Sequence, residues 1–460
     1  MTLPFAAPPP IAPGLILSAP ASGSGKTVLT LAILRALRQR GVAVAGIKTG
    51  PDYIDPAFHA AASGRPCVNL DSWAMAPSLL RGLARAQGTG ADLLLAEGVM
   101  GLFDGALGLP AGCDTADGST AALARLLGWP VVLIVDVKGM ATSVAALIAG
   151  FVRHRPDVAV RGVILNRVGS ARHVAAMTAA IASELPELCI LGGLPRQGDL
   201  ALPERHLGLV QAREHPDLER FLDASARLLT EHIDLDRLIA LAQPLKNGPT
   251  DAAPRPLPPP GQRIALARDD AFAFTYPAVL QGWRDAGAEI TFFSPLADEG
   301  PDATADAIHL PGGYPELHAG RLAAGRTFLP SLRAAAGRGV AIFGECGGYM
   351  VLGRGLTAAD GTLHAMAGLL PVDTSFAARR RHLGYRRARQ LSAGWPGAVG
   401  EGFSAHEFHY ASIIAEAGDE AGRLFAVTDA GGTALGSVGQ RRGSVAGSFL
   451  HLISAAPGPA

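Results

Sequence analysis

The residues with the clearest chemical capacity lie in "AIFGECGGYM" (residues 341–350), where glycines stand two before and two after Cys346 at the end of an apolar run. Gly-x-Cys-x-Gly between a strand and a helix has the form of a nucleophile elbow, in which small neighbours permit a strained turn that presents a side chain to substrate. A helix N-terminus beside Cys346 is expected to lower its thiol pKa. Most lone cysteines are buried structural residues, so a base is needed to favour catalysis. "SVAGSFLHLI" (444–453) reads as a terminal strand ending in His451, which could take the thiol proton. "IHLPGGYPEL" places Gly312 and Gly313 after another strand, and the N–H groups of Gly313 and Gly347 are candidate oxyanion donors. This constellation fits acyl transfer.

A second group lies near the N-terminus. "LILSAPASGSGKTVLTLAILRAL" runs strand, Gly/Ser loop, helix, the order a phosphate-binding loop requires. Backbone N–H groups of Ser22, Gly23, Ser24, Gly25 and Lys26 can face phosphates at the positive helix end. Lys26 would reach the β/γ-phosphates, and the Thr27 hydroxyl would ligate Mg²⁺. The strict loop pattern has glycine where this chain has Pro20. "IKTGPDYIDPAFH" then brings Lys48, Asp52, Asp55 and His59; the two carboxylates, three residues apart, can converge on one cation. "LLLAEGVMGLFDG" ends a strand with Glu97, a further Mg²⁺ candidate, and continues to Asp104, at the sheet edge where open α/β folds bind ligands. Asp136, ending "VVLIVD", is either a second metal-side carboxylate or a turn residue. Asn166, ending "GVILN", can donate and accept at an adenine edge.

Positioning these groups requires many strand-to-helix turns. "GLILSA", "VAVAGIK", "DLLLAEG", "VVLIVDV" and "VRGVILNRV" are short apolar runs separated by segments of helical length, a pattern that predicts a parallel sheet covered on both faces. The alternation breaks in the Pro/Gly-rich residues 246–262 and restarts with "RIALARD", "AEITFFSP", "AIHLPGG" and "GVAIFGE". The expectation is an α/β protein of two domains, residues 1–245 and 263–460, joined by a linker over 246–262. A length of 460 residues agrees with two cores. Lysine plus arginine equals aspartate plus glutamate at 40 each, which removes the bulk electrostatic case for a nucleic acid or membrane partner. Cys67, Cys113, Cys189 and Cys346 form no zinc-type spacing, which predicts a reduced, cytoplasmic chain. The first residues, "MTLPFAAPPPIAPG", lack the basic and apolar regions of a signal peptide, and no apolar run has the ~18–20 residues of a membrane span.

With both ends read, the chain resembles the cobyrinate or hydrogenobyrinate a,c-diamide synthase family, through "SGSGKT", "KTGPDYIDPAFH", "EGVMGLFDG", "LPGGYPE", "FGECGGYM", "HLGYR" and "GSFLHL" in that order. The resemblance implies a dethiobiotin-synthetase-like P-loop domain, whose loop has a longer first spacing that needs no glycine at Pro20. It implies next a class I glutamine amidotransferase domain, flavodoxin-like in fold, that uses Cys346 and His451. Commoner amidotransferases carry Glu two residues after the His; here Ile453 stands there, leaving a dyad whose orienting group is unassigned. The implied reaction is a carbon–nitrogen ligation: ATP- and glutamine-dependent amidation of the a and c acetate groups of a corrinoid, hydrogenobyrinic or cobyrinic acid. ATP phosphorylates a carboxylate, and ammonia from glutamine, passed between domains, displaces the phosphate. By the same resemblance Thr27, Asp52, Asp55 and Glu97 hold Mg²⁺, and Lys48, Tyr53 and Asp104 handle the corrinoid. Corrinoid, ATP and L-glutamine are the implied partners, and a homodimer is compatible with the sequence. The arginine-rich "AARRRHLGYRRAR" (377–389) is either a solvated charge run or a partner for corrinoid carboxylates. Rival readings are cobyrate synthase, nickel-sirohydrochlorin a,c-diamide synthase and, from another class, a non-catalytic P-loop switch or scaffold.

Overall fold

A computed structural model describes residues 11–109, 116–196, 204–205, 208–209, 211–248, 256–417 and 422–456. The first ten residues, Cys113 and the centre of the 246–262 linker lie outside the described residues. The described residues form two compact units, those of 11–73, 77–105 and 116–248 in the first and those of 74–76, 106–109 and 256–456 in the second.

In the first unit, strands β1 (Gly14–Ser18), β2 (Val44–Thr49), β3 (Val68–Leu70), β4 (Leu93–Glu97), β5 (Val131–Asp136), β6 (Val160–Val168) and β7 (Cys189–Pro195) form one sheet in the order β3-β2-β4-β1-β5-β6-β7. Every pairing is parallel. All five residues of β1 and of β4 are buried, because helices cover both faces and leave no polar side to alternate. Strand order reverses around β1, so the loops after β1, β2 and β4 open at one edge, where helices α1 (Lys26–Gln39) and α2 (Asp55–Ser63) begin.

The second unit carries a ten-stranded sheet. Glu289–Phe293, Arg263–Ala267, Ala307–Leu310, Ala341–Glu345 and Val445–Ser448 pair in parallel in that order. Ala434–Arg442, Arg423–Thr428, His382–Gln390, Gly402–His409 and Leu450–Ala455 continue the sheet with antiparallel pairing. The α/β alternation in the sequence announced the parallel half; the antiparallel half was absent from that reading. Val445–Ser448 and Leu450–Ala455 are separated by Phe449 alone, yet four strands stand between them in the sheet. The antiparallel half therefore curls back on itself, and the chain turns at Phe449. His451 accordingly sits near the start of the last strand rather than at the end of one.

Candidate active sites

In the first unit the loop between β1 and α1 is shaped by glycine. Gly25 has φ +89°, and a Cβ placed there would lie 2.4 Å from the Asn166 amide nitrogen. Backbone conformation and space both exclude a larger residue. Asn166 donates from Nδ2 to the Ser24 carbonyl at 2.9 Å, while its Oδ1 accepts from the Arg167 N–H. Its amide thus holds the loop through the Ser24 carbonyl, at the edge of the site where the sequence places a nucleotide. Asp136 likewise serves local structure: it accepts from the Lys138 N–H and pairs with Arg167 at 2.6 Å. Ser22 and Gly23 are exposed at the loop tip, and Ser24 bonds back to the Ala21 carbonyl. The Lys26 ammonium donates to the Met100 carbonyl at 2.5 Å; burial lowers its pKa, against the pull of Glu97.

Glu97, at the end of β4, is the hub. Its Oε1 accepts from the Thr27 hydroxyl at 2.7 Å and from Lys48 at 2.9 Å, and its Oε2 bonds His59 at 2.6 Å. Burial would raise the Glu97 pKa, but Lys48 and His59 outweigh it and hold the carboxylate well below its usual range. Burial also opposes the His59 cation, yet the Cys67 sulfur and Glu97 keep its pKa at about 10. Lys48 is pulled above its ordinary value by Asp55, at 2.5 Å, and by Glu97, although burial opposes this. Burial, together with Asp52, lifts Asp55 to about 6.

Lys48 is 4% exposed and donates to two carboxylates, Asp55 and Glu97, as the buried cation between them. Asp55 is bound to that ammonium, whereas Asp52 is half-buried and uses Oδ1 to accept the Ile54 and Asp55 N–H groups. Tyr53 is half-buried beside it, and Asp104 is exposed, with Oδ2 accepting the Gly101 N–H at 2.8 Å. Thr27 and Glu97 meet at 2.7 Å, and with the carboxylates of Asp52 and Asp55 on the adjoining loop they are hard oxygen donors, the ligand chemistry Mg²⁺ requires. The part played by His59 and Cys67 in this network was not legible from spacing, because they meet Glu97 only through the pairing of β2 with β3 and β4.

In the second unit Cys346 lies at the expected turn. Its φ of +46° and ψ of −102° fall where non-glycine residues rarely sit, directly after Ala341–Glu345 and at the head of the short helix Gly347–Leu352. A Cβ on Gly312 would lie 2.3 Å from His451 Cε1 and 3.3 Å from Cys346 Cβ, so nucleophile, base and Gly-Gly loop meet at one point. A Cβ on Gly347 would lie 3.1 Å from the Gly313 nitrogen, which places both candidate oxyanion donors at this elbow.

The electrostatics correct one expectation. Cys346 is 2% exposed, and burial, aided by Glu316, pushes its thiol up rather than down; the six-residue helix does not offset that cost. Burial also drives His451 well below its usual pKa, with His406 and His409 adding to the effect. Both groups rest uncharged. Glu345 has Oε2 3.8 Å from His451 Nδ1, and burial lifts its pKa to about 8. Glu407 is held by Arg386 at 2.8 Å and His409 at 3.0 Å. Together with His382 these ligand atoms lie within 4.8 Å of one another, a group whose charge is already balanced by Arg386. The arginine run is divided: Arg386 and Arg387 bond Glu407 and Ser404, while Arg379, Arg380, Arg381 and Arg389 are exposed.

Comparison with known proteins agrees with the two units. Residues 15–210 match the CobQ/CobB/MinD/ParA nucleotide binding domain, and residues 263–458 match the CobB/CobQ-like glutamine amidotransferase domain. Hydrogenobyrinate a,c-diamide synthase of a Sinorhizobium species is 55% identical over 96% of this chain and 99% of its own length. The enzymes of that name from Brucella anthropi and Rhodobacter capsulatus are 55% and 52% identical, each over 96% of this chain and 98% of their own. With a phosphate loop in one unit, a cysteine elbow in the other and such likeness along nearly its whole length, the chain belongs to the hydrogenobyrinate a,c-diamide synthase family.

Proposed function

We propose that this ATP-dependent glutamine amidoligase amidates the a and c acetate carboxylates of hydrogenobyrinic acid in the cytoplasm. Residues 1–245 would form the amidoligase domain, 246–262 the linker and 263–460 the amidotransferase. The observation that carries the reading is the meeting of Cys346, His451 and Gly312 around one point in a chain that also carries a complete phosphate loop. The names of the relatives, all hydrogenobyrinate enzymes, favour the metal-free acceptor over cobyrinic acid.

Cys346 passes its proton to His451 as the sulfur attacks the glutamine carboxamide carbon. The resulting oxyanion faces the N–H groups of Gly313 and Gly347. The carbon–nitrogen bond breaks, His451 returns the proton to the departing ammonia, and water cleaves the thioester to glutamate. At the other site a substrate carboxylate oxygen attacks the γ-phosphorus of ATP and ADP leaves; ammonia then attacks the acyl phosphate carbon and phosphate departs. Lys26 leaves the Met100 carbonyl to meet the phosphates, and the N–H groups from Ser22 to Lys26 hold them. Thr27, Asp52, Asp55 and Glu97 would hold Mg²⁺, which neutralises phosphate charge when bound. Asp104, exposed on its loop, and Tyr53 face the acceptor.

Mass spectrometry of products from hydrogenobyrinic and cobyrinic acids, each incubated with ATP and glutamine, tests this reading. The expected result is a diamide from hydrogenobyrinic acid. Amidation of cobyrinic acid alone, or addition of amides beyond two, would overturn the acceptor assignment.

A further inference from the structure

His451 needs a partner on Nδ1 if Nε2 is to receive a proton from sulfur, because a neutral imidazole with an unanchored ring samples both tautomers. Ile453, two residues on, is a buried hydrocarbon and cannot serve. Building on the Cys346–His451 reading above, we propose that Glu345, the residue immediately before the nucleophile, is the positioning residue for His451. The pair would complete a Cys–His–Glu triad whose acid comes from the nucleophile strand.

Several features support this. Glu345 Oε2 lies 3.8 Å from His451 Nδ1, the opposite side of the ring from the nitrogen nearest Gly312. Its other oxygen accepts the Leu452 N–H at 3.2 Å, so the carboxyl is held to the residue adjacent to His451. Glu345 is 7% exposed among Trp283, Trp395, His309 and Leu452, and burial there needs a polar reason. The 3.8 Å separation is longer than a hydrogen bond, as is common before substrate binds. A cavity of about 20 Å³ lined by Glu345, His309, Tyr276 and Leu452 leaves room for the carboxyl to shift. The strand Ala341–Glu345 explains the geometry: Glu345 shares a strand face with Phe343, which stacks on His309, and the unusual Cys346 turn sends the next side chain elsewhere.

Burial raises the Glu345 pKa to about 8, so the resting carboxyl is mostly protonated at neutral pH; in the working form proposed here it is ionised beside the imidazole and accepts Nδ1–H, so that Nε2 carries the lone pair. When the sulfur transfers its proton, the carboxylate stabilises the imidazolium, and no proton passes to Glu345. The other ionisable groups around His451 are His309, His406, His409 and Glu407. The three histidines disfavour its cation and Glu407 favours it; among the described residues Glu345 is the carboxyl within 4 Å of Nδ1, and the same Oε2 lies 3.9 Å from His309 Nε2.

The test compares wild type, Glu345→Gln, Glu345→Asp and Cys346→Ala. Glutaminase activity is followed across pH, ammonium-driven amidation serves as a control for folding, and iodoacetamide alkylation reports Cys346 reactivity. Glu345→Gln is expected to lower glutaminase kcat/KM about 100-fold, to move its acid limb to lower pH, and to slow Cys346 alkylation at neutral pH, with ammonium-driven activity kept. Glu345→Asp should recover part of each. Near-wild-type glutaminase with an unmoved acid limb in Glu345→Gln would overturn the inference. If Glu345→Gln also loses ammonium-driven activity, Glu345→Asp decides: reduced glutaminase with an altered alkylation profile supports the triad, and an unaltered profile overturns it. Glutaminase surviving in Cys346→Ala would instead overturn the underlying dyad.

Discussion

At the scale of single residues, both sites keep ionisable groups in places where water would normally be needed. Glu97 is 1% exposed and survives as an anion because Lys48, His59 and Thr27 all donate to it. Removing one partner of such a buried group costs more than the pair contributes, since the other charge is left unsolvated. Glu407 allows this logic to be tested by pH. Burial alone would raise its pKa, but the His409 hydrogen bond and the charges of His409 and Arg386 hold it at about 2, against an ordinary value of 4.5. A depressed carboxylate contributes stability above its unfolded pKa and loses it as pH falls through the folded value. Glu407→Gln should therefore lower stability by ~1–3 kcal/mol at neutral pH, and the difference from wild type should shrink between about pH 4.5 and pH 2. Thermal unfolding of both chains across that range checks it; a difference independent of pH would exclude the ion pair as its source.

At the scale of elements, each site is assembled by loops leaving the carboxyl ends of parallel strands. Asn166 illustrates what an element contributes beyond its motif. It lies near the end of β6, two strands from the phosphate loop, and its amide bonds the Ser24 carbonyl while filling the space beside Gly25. Asn166→Ala should raise the KM for ATP about tenfold, the loss of one buried hydrogen bond of ~1–1.5 kcal/mol, and leave glutaminase activity unchanged. A titration of amidation against ATP measures it, and an unaltered KM would show that the loop holds its shape without this contact. In the second unit the corresponding element is the Phe449 turn between Val445–Ser448 and Leu450–Ala455, which delivers His451 to a nucleophile more than one hundred residues earlier.

At the scale of the whole molecule, the chemistry divides between nitrogen release and carboxylate activation. Cys346→Ala should abolish amidation from glutamine and retain most activity with a high concentration of ammonium salt, because ammonia then arrives without a thioester. Lys26→Ala should abolish amidation from either nitrogen source, because the carboxylate is no longer activated. Parallel assays with the two nitrogen donors distinguish these outcomes; equal loss from both donors in Cys346→Ala would contradict the division.

Much of this was determined by sequence alone. The parallel sheet, the phosphate loop, the cysteine elbow and the family itself follow from short motifs, because strand period, glycine placement and residue chemistry are local properties. Strands β3 and β7 escaped that reading: one has three residues and the other is an edge strand containing Gly192 and Gly193. Only the tertiary structure decided which charges neutralise one another. Lys48 and Asp55 are paired with each other and with Glu97's network, Asn166 holds a loop, and burial reverses the expected thiol shift. It also brought Glu345 to His451, which spacing along the chain could not do. Desolvation and hydrogen-bond partnership depend on what the fold packs around a group, and residues far apart in sequence supply most of that surrounding.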